Sequence, residues 1–284
     1  MNNELPTTNY LIDTHAHLDV KQFRPDLDSV IERASKVGVT TIINIGPSVN
    51  SAKAASQIEN AQIKMFSTIG LHPEYVPLAN PEKSIPAKMK ALEKIYQTNP
   101  QKVIGIGECG LDYFRRDGQI TEEEKTAQKT LFQAQIDLAR KLHLPLIIHC
   151  RDSASISSAP SKTSAWSDIF DFDFTGINGV FHSFTSNLDD AKKALDLGFY
   201  LSFSCIITYP KNDYLRQIIK EIPLDKILVE TDCPFLPPQT KRGQRCEPAD
   251  VVEVIKIIAQ MKNLSYEEIT QTTFQNAQAL FHLS

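Results

Sequence analysis

No apolar run in the 284-residue sequence approaches the roughly eighteen residues of a membrane span, and the opening MNNELPTTNY has neither a basic start nor an apolar stretch. Neither a membrane-embedded nor a signal-led exported protein is expected. Charge excess is also lacking: Lys+Arg number 30 against 34 Asp+Glu, for a net charge of −4. Bulk attraction to polyphosphate is thereby excluded, and any nucleic-acid contact must come from a local patch. Five cysteines without C-x-x-C spacing cannot form a disulfide framework in a chain this large. A reducing, cytoplasmic home is expected. Neither G-x-G-x-x-G nor G-x-x-x-x-G-K-[ST] occurs, which removes the two common glycine-rich phosphate cradles. With 42% hydrophobic and 23% charged residues, disorder, collagen and coiled coil are out as well.

What is present is a rhythm. Short apolar runs at Tyr10–Thr14, Val39–Ile45, Met65–Gly70, Val103–Gly107, Leu144–His149, Gly179–His182, Phe199–Phe203 and Ile227–Glu230 predict eight strands. Runs apolar on both faces, such as Pro145-Leu146-Ile147-Ile148, suit parallel strands buried on both sides. Helix-period segments lie between them. Thr121–Leu142 opens with a Thr121-x-x-Glu124 capping box and carries Leu131, Gln135, Leu138 and Leu142 on one stripe. Asp26–Val37 stops at Gly38, Leu188–Leu197 stops at Gly198, and Pro248 suits a first helical turn. Eight strand–helix units predict an α/β fold, a distorted (β/α)8 TIM barrel occupying residues 1–284 as one domain. Ser265–Leu283, with its own Ser265/Glu268 capping box, predicts an additional C-terminal helix packed outside the barrel. Ser153–Ser167, with seven serines, predicts a long loop between the fifth and sixth strands.

Polar residues fall where such a barrel builds its sites. His15 and His17 end the first strand, Glu108 the fourth, His149 the fifth, His182 the sixth and Asp232 the eighth. These ends converge on the face where barrel enzymes react. Of seven histidines, four stand at strand ends, or five with His72 after the third strand, so chance and core packing lose their usual weight. His-x-His on a strand sends both imidazoles to one side. Six ligands are too many for one tetrahedral zinc and suit two ions a few ångströms apart, with Glu108 able to bridge them. Asp13 and Glu230, each two residues upstream of a ligand, are expected either to orient the site or to make buried structural hydrogen bonds.

The motifs Asp13-Thr14-His15-Ala16-His17-Leu18-Asp19, Gly70-Leu71-His72-Pro73, Ile106-Gly107-Glu108-Cys109-Gly110-Leu111-Asp112-Tyr113, His149-Cys150-Arg151, His182-Ser183-Phe184-Thr185, Glu230-Thr231-Asp232-Cys233-Pro234 and Arg242-Gly243-Gln244-Arg245-Cys246-Glu247-Pro248 occur in that order. Together they resemble the TatD family of metal-dependent deoxyribonucleases, over nearly the whole chain. The resemblance implies a distorted TIM barrel of the metal-dependent hydrolase superfamily and exonuclease-type phosphodiester hydrolysis. It also implies one ion on His15, His17, Glu108 and Asp232, and another on Glu108, His149 and His182. Cys246 stands where the family usually has Asn, Cys109 where a small or β-branched residue is common, and Ser186 where Gly often follows. None of these departures removes a ligand.

Two divalent cations, Mg²⁺, Mn²⁺ or Zn²⁺, would lower the pKa of a shared water, with Asp232 as proton acceptor and Glu108 as the other catalytic carboxylate. Arg151, Arg245 and His72 are the expected contacts to substrate phosphate; Lys241, Arg242 and Arg245 form a basic loop with Glu247 as the acid beside it in sequence. His143 and His282 read as structural, Cys150 and Cys233 as packed thiols, and Trp166 with DIFDFDF as packing more than base stacking. The function expected is a deoxyribonuclease that trims single-stranded or frayed DNA ends, or RNA, as a monomer without membrane partners. An amide or ester hydrolase, such as a lactonase or aminoacyl-ester deacylase, is the alternative; Glu108 in place of lysine disfavours the carbamylated-lysine branch. A non-catalytic nucleic-acid-binding protein ranks below both, because all six ligand positions are filled.

Overall fold

Each predicted apolar run folds as a strand, and each is followed by helix-period sequence that folds as a helix. The computed structural model describes residues 11–115, 119–152 and 164–283. The strands are β1 (Leu11–Ala16), β2 (Val39–Asn44), β3 (Lys64–Ile69), β4 (Val103–Asp112), β5 (Leu146–Arg151), β6 (Gly179–Phe181), β7 (Tyr200–Phe203) and β8 (Ile227–Val229). The helices are α1 (Leu27–Lys36), α2 (Val49–Ala55), α3 (Pro81–Thr98), α4 (Glu122–Leu142), α5 (Ala165–Ile169), α6 (Leu188–Asp196), α7 (Asp213–Glu221), α8 (Val251–Lys262) and α9 (Tyr266–Phe281). The strands are hydrogen-bonded in chain order from β1 to β8, with parallel registers such as Leu146↔Gly179 and Ile106↔Leu146. This is the strand order of a (β/α)8 TIM barrel.

The Cα positions group into two compact units. The first comprises residues 11–44, 57–66 and 202–283 of those described, and the second 45–56 and 67–201. In the first unit a parallel bridge joins Ala16 to Cys233, just past β8. There α9 packs on β1, β8 and α8, and the Asn276 amide donates to the carbonyls of Leu224 and Ile227, at 2.8 Å each. Both capping boxes exist as expected: Thr121 and Glu124 exchange bonds at the start of α4, Ser265 and Glu268 at the start of α9. His143 and His282 are the left-handed C-caps of these two helices, which accounts for both as structural residues.

In the second unit the buried stripe of α4 includes two glutamines, Gln128 and Gln135, seven residues apart on one face. Gln135 accepts from the Leu71 N–H at 2.7 Å and donates to the Leu71 carbonyl at 3.0 Å. Gln128 does the same for Asp112, at 2.9 Å in both directions. Each amide satisfies backbone groups at a strand end that no neighbouring strand reaches.

Several boundaries shift by a residue or two, such as β5 at Leu146–Arg151 against the expected Leu144–His149, and two differences have a clear physical reason. The fourth strand, expected to end at Gly107, runs on to Asp112, past Gly110. Gly110 has φ +133°, and a Cβ there would lie 2.0 Å from the His149 carbonyl oxygen. The glycine is needed for close approach of β4 to β5 and does not end the strand. In the predicted serine-rich loop, residues 153–163 lie outside those described, but its end is helical. Ser164 caps α5 by accepting from the Ser167 N–H, and Trp166 packs in an aromatic cluster with Phe170, Phe181 and Phe184. Composition alone hid a capped apolar turn. All five cysteines are buried free thiols. Among the described residues, no helix is long and apolar enough to cross a membrane.

Candidate metal centre

In the first unit, β1 and the segment after β8 bring three predicted ligands together. His15 Nε2 and His17 Nε2 lie 3.2 Å apart, and Asp232 Oδ1 is 3.7 and 3.4 Å from them respectively. Donors on a tetrahedron with bonds of about 2.1 Å are about 3.4 Å apart, so this spacing fits a divalent cation with one carboxylate and two imidazole ligands. The backbone that aims them is interlocked. The Asp232 N–H donates to the His15 carbonyl, and the His17 N–H to the Cys233 carbonyl, at 2.8 Å each. Asp232 itself adopts φ +61°, a left-handed conformation that Asp tolerates and that is enriched at functional sites.

Asp13 does not touch an imidazole. Its carboxylate accepts from the Thr231 N–H and hydroxyl and from the His15 N–H, at 2.9, 2.6 and 3.2 Å. Burial pushes its pKa up to about 7 against those three bonds. Of the two roles considered for Asp13, the structural hydrogen bond is the one realised, tying β1 to the segment after β8. Glu230 is buried one residue upstream of Thr231.

The second unit assembles the remaining ligands from β4, β5 and the end of β6. Glu108 Oε1 is 2.9 Å from His149 Nδ1 and 2.8 Å from His182 Nε2, and those two nitrogens are 3.1 Å apart. A carboxylate this buried needs a positive partner, which a divalent cation among the three groups would supply.

His149 has a further carboxylate on its other nitrogen, with Nε2 3.1 Å from Asp112 Oδ2. Burial lowers the His149 pKa, but the bonds to Asp112 and Glu108 outweigh it and raise the value. Burial raises the Asp112 pKa, and the His149 bond outweighs it in turn and holds the carboxyl below its ordinary value. Sequence reasoning quoted Asp112 within a motif and gave it no role. The available signal was its position four residues past Glu108, on the same face of one strand.

His72 joins Asp112 and His149 in a third convergent group. Burial lowers its pKa to about 4. Its Nδ1 accepts from the Glu74 N–H at 3.2 Å, which leaves Nε2 as an N–H donor, 3.6 Å from Glu108 Oε1.

The predicted phosphate contacts divide. Arg151 is exposed at the end of β5 with its guanidinium over the Phe114 ring at 3.9 Å. Arg245 is engaged elsewhere: it donates to both oxygens of Asp26, to Glu247 and to the Gln22 carbonyl, at 2.6 to 2.8 Å. Lys241 pairs with Asp250. The basic loop therefore meets Asp26 and Asp250 as well as Glu247, the one acid that its sequence neighbourhood suggested.

A sequence model of the family described as TatD related DNase matches residues 12–282. The chain is 34% identical over 278 residues to the uncharacterized metal-dependent hydrolase YabD of Bacillus subtilis (strain 168), covering 96% of this chain and 100% of that protein. It is 31% identical to the uncharacterized metal-dependent hydrolase YcfH of Escherichia coli (strain K12), covering 96% of each. Among solved structures, the TatD homolog YJJV from Escherichia coli K12 superposes with a TM-score of 0.81 at 26% identity, over 97% of this chain and 99% of that one. With a family match across nearly its whole length, a 34% identical relative covered end to end and the expected barrel topology, the chain belongs to the TatD-related DNase family of metal-dependent hydrolases.

Proposed function

We propose that the protein hydrolyses phosphodiester bonds at nucleic-acid ends, single-stranded or frayed DNA first and RNA second, with two divalent cations. The observation that carries this is the presence, in a TatD-related DNase chain, of two convergent groups of potential ligands: His15, His17 and Asp232 in one, and Glu108, His149 and His182 in the other. Bound divalent cations supply Lewis acidity, lowering the pKa of a water toward neutrality and offsetting charge that builds on the phosphoryl oxygens. The four imidazoles suit Zn²⁺ or Mn²⁺ by softness, while the carboxylates suit Mg²⁺ as well.

The chain's own groups do the rest. Asp232, held at its left-handed backbone position, accepts the proton of the attacking water on a carboxylate oxygen. Glu108, with His149 and His182, would hold one of the cations and offset its charge. Arg151, exposed beside β5 and braced on Phe114, binds a substrate phosphate through its forked donors. His72, with its Nε2–H outward from the Glu74 contact, donates to a phosphate oxygen or to Glu108. Arg245 serves as a tie between loops, since Asp26 and Glu247 occupy its donors.

The test uses end-labelled single-stranded DNA, RNA and a generic phosphodiester with Mg²⁺, Mn²⁺, Zn²⁺ or chelator, for the native protein and for Glu108→Ala and His149→Ala. Metal-dependent shortening from an end, lost in both variants, is expected. Cleavage in chelator, or full activity in either variant, would overturn the mechanism. Ester hydrolysis with no nucleic-acid cleavage would overturn the substrate assignment.

A further inference from the structure

The turn after β8 holds an apolar side chain out in water. Phe235 is 50% exposed, although it follows directly on the ligand segment Asp232-Cys233-Pro234. The turn is not loose. The Phe235 N–H donates to the Asp232 carbonyl at 3.0 Å, and the Cys246 N–H to the Pro234 carbonyl at 3.2 Å. The Tyr209 hydroxyl donates to the Pro237 carbonyl at 2.7 Å. Leu236 sits at φ +51°, a conformation its branched side chain disfavours. A turn fixed at this many points, with strain at the next residue, presents the phenyl ring to solvent in a set position. That position adjoins the metal ligands: the Phe235 ring meets the His17 imidazole with centroids 5.9 Å apart, at 68°.

A cation lies on the same turn. Arg242 is exposed, and its guanidinium rests over the Tyr209 ring at 4.7 Å, the ring whose hydroxyl holds Pro237. Lys241 and Arg245 in the same loop have carboxylate partners, Asp250 for the first and Asp26 with Glu247 for the second. Arg245 also lies over a ring, Phe23 at 4.6 Å, but carboxylates occupy its donors, whereas Arg242 is exposed and braced on Tyr209. An open aromatic ring beside an arginine, next to metal ligands, matches what unpaired nucleotides require: a surface for the base and a forked donor for the phosphate.

We propose that Phe235 and Arg242 form a nucleotide subsite, in which an unpaired base next to the scissile phosphodiester stacks on Phe235 and the adjoining phosphate is held by Arg242. This rests on the nucleic-acid reading given above and deepens it. A base within a duplex cannot offer its face to the ring, so the subsite selects single-stranded or frayed ends.

The experiment compares the native protein, Phe235→Ala, Phe235→Trp and Arg242→Gln, each first shown to bind the same amount of metal. The substrates are a single-stranded oligodeoxynucleotide and a set in which one nucleotide at a time is abasic. Base stacking on an aromatic side chain predicts a rise in KM of roughly 5- to 150-fold for Phe235→Ala on the intact strand. The same variant should match the native protein on the one abasic strand that lacks the stacked base, and Phe235→Trp should restore the native KM. Arg242→Gln should raise KM equally on intact and abasic strands. Equal losses for Phe235→Ala on intact and abasic strands, or no loss on either, would overturn the subsite.

A binding arm is independent of turnover. Trp166 is the single native tryptophan and is buried, so the added indole of Phe235→Trp reports alone on the turn. Intact single-stranded DNA should quench it, and the abasic strand should not. Absence of quenching would refute the subsite even if DNA is cleaved. Quenching without cleavage by the native protein would instead refute the catalytic assignment and leave the subsite standing.

Discussion

On the two-cation reading proposed above, replacing Asp112 with Asn should weaken the binding of one ion and spare the other. The Asp112 carboxylate has two oxygens in use: one accepts from the Phe114 N–H at 2.8 Å, the other faces His149 Nε2 at 3.1 Å. An amide has only one oxygen. If it keeps the Phe114 bond, its NH₂ group faces His149 Nε2, which must then accept, and the imidazole proton moves to Nδ1. Nδ1 is the nitrogen that points at Glu108 and His182, where a lone pair is needed to bind a cation. Loss of a partner that fixes a ligand tautomer typically costs 10–100-fold in metal affinity, or about 1.4–2.8 kcal/mol. The assay is competition against a chromophoric chelator, which resolves two dissociation constants for Zn²⁺ or Mn²⁺. The expectation for Asp112→Asn is one constant weakened by that factor and the other, for His15, His17 and Asp232, at its native value. Two unchanged constants, or two weakened equally, would refute the tautomer argument.

Gln135→Leu keeps the volume but leaves the buried Leu71 N–H and carbonyl without their partner. At about 1–3 kcal/mol for each abandoned group, urea unfolding should show a loss of about 2–6 kcal/mol. Gln133→Leu, more exposed on the same helix, should change little; similar losses from both would refute the role assigned to Gln135. A pH effect follows from Glu247. Burial raises its pKa, but the Arg33 and Arg245 guanidinium bonds outweigh this and hold the carboxyl below its ordinary value of 4.5. A depressed folded pKa gives stability that is complete above the unfolded value and is lost as pH falls through the folded one. Glu247→Gln should therefore cost stability on the order of 1 kcal/mol at pH 7, read as a lower melting temperature. The gap to the native protein should narrow as the pH falls below the ordinary carboxylate range and Glu247 becomes protonated, and a gap that stays constant through that fall would assign the effect to packing instead of charge.

Element types and ligand positions were legible in the sequence because they are local. The Thr121 and Ser265 capping boxes, the apolar runs of the eight strands and the His15-x-His17 spacing each lie within a few residues and need no partner to be read. Strand runs then located His149, His182, Glu108 and Asp232, although Glu108 lies inside β4 and His149 two residues short of the end of β5. Partners distant in the chain were not legible. Arg245 looked like a free phosphate contact until chain closure brought it to Asp26, 219 positions away, and Gln135 read as one more member of a helix stripe until it met Leu71, 64 positions away. Asp13 is tied to Thr231 across 218 positions. Sequence by itself determined the eight strand–helix units and which residues are candidates to bind a cation. Only the tertiary structure decided which charges neutralise one another, which carboxylate fixes the His149 tautomer and which aromatic ring stays in water, because those outcomes depend on how strands far apart in the chain pair and close.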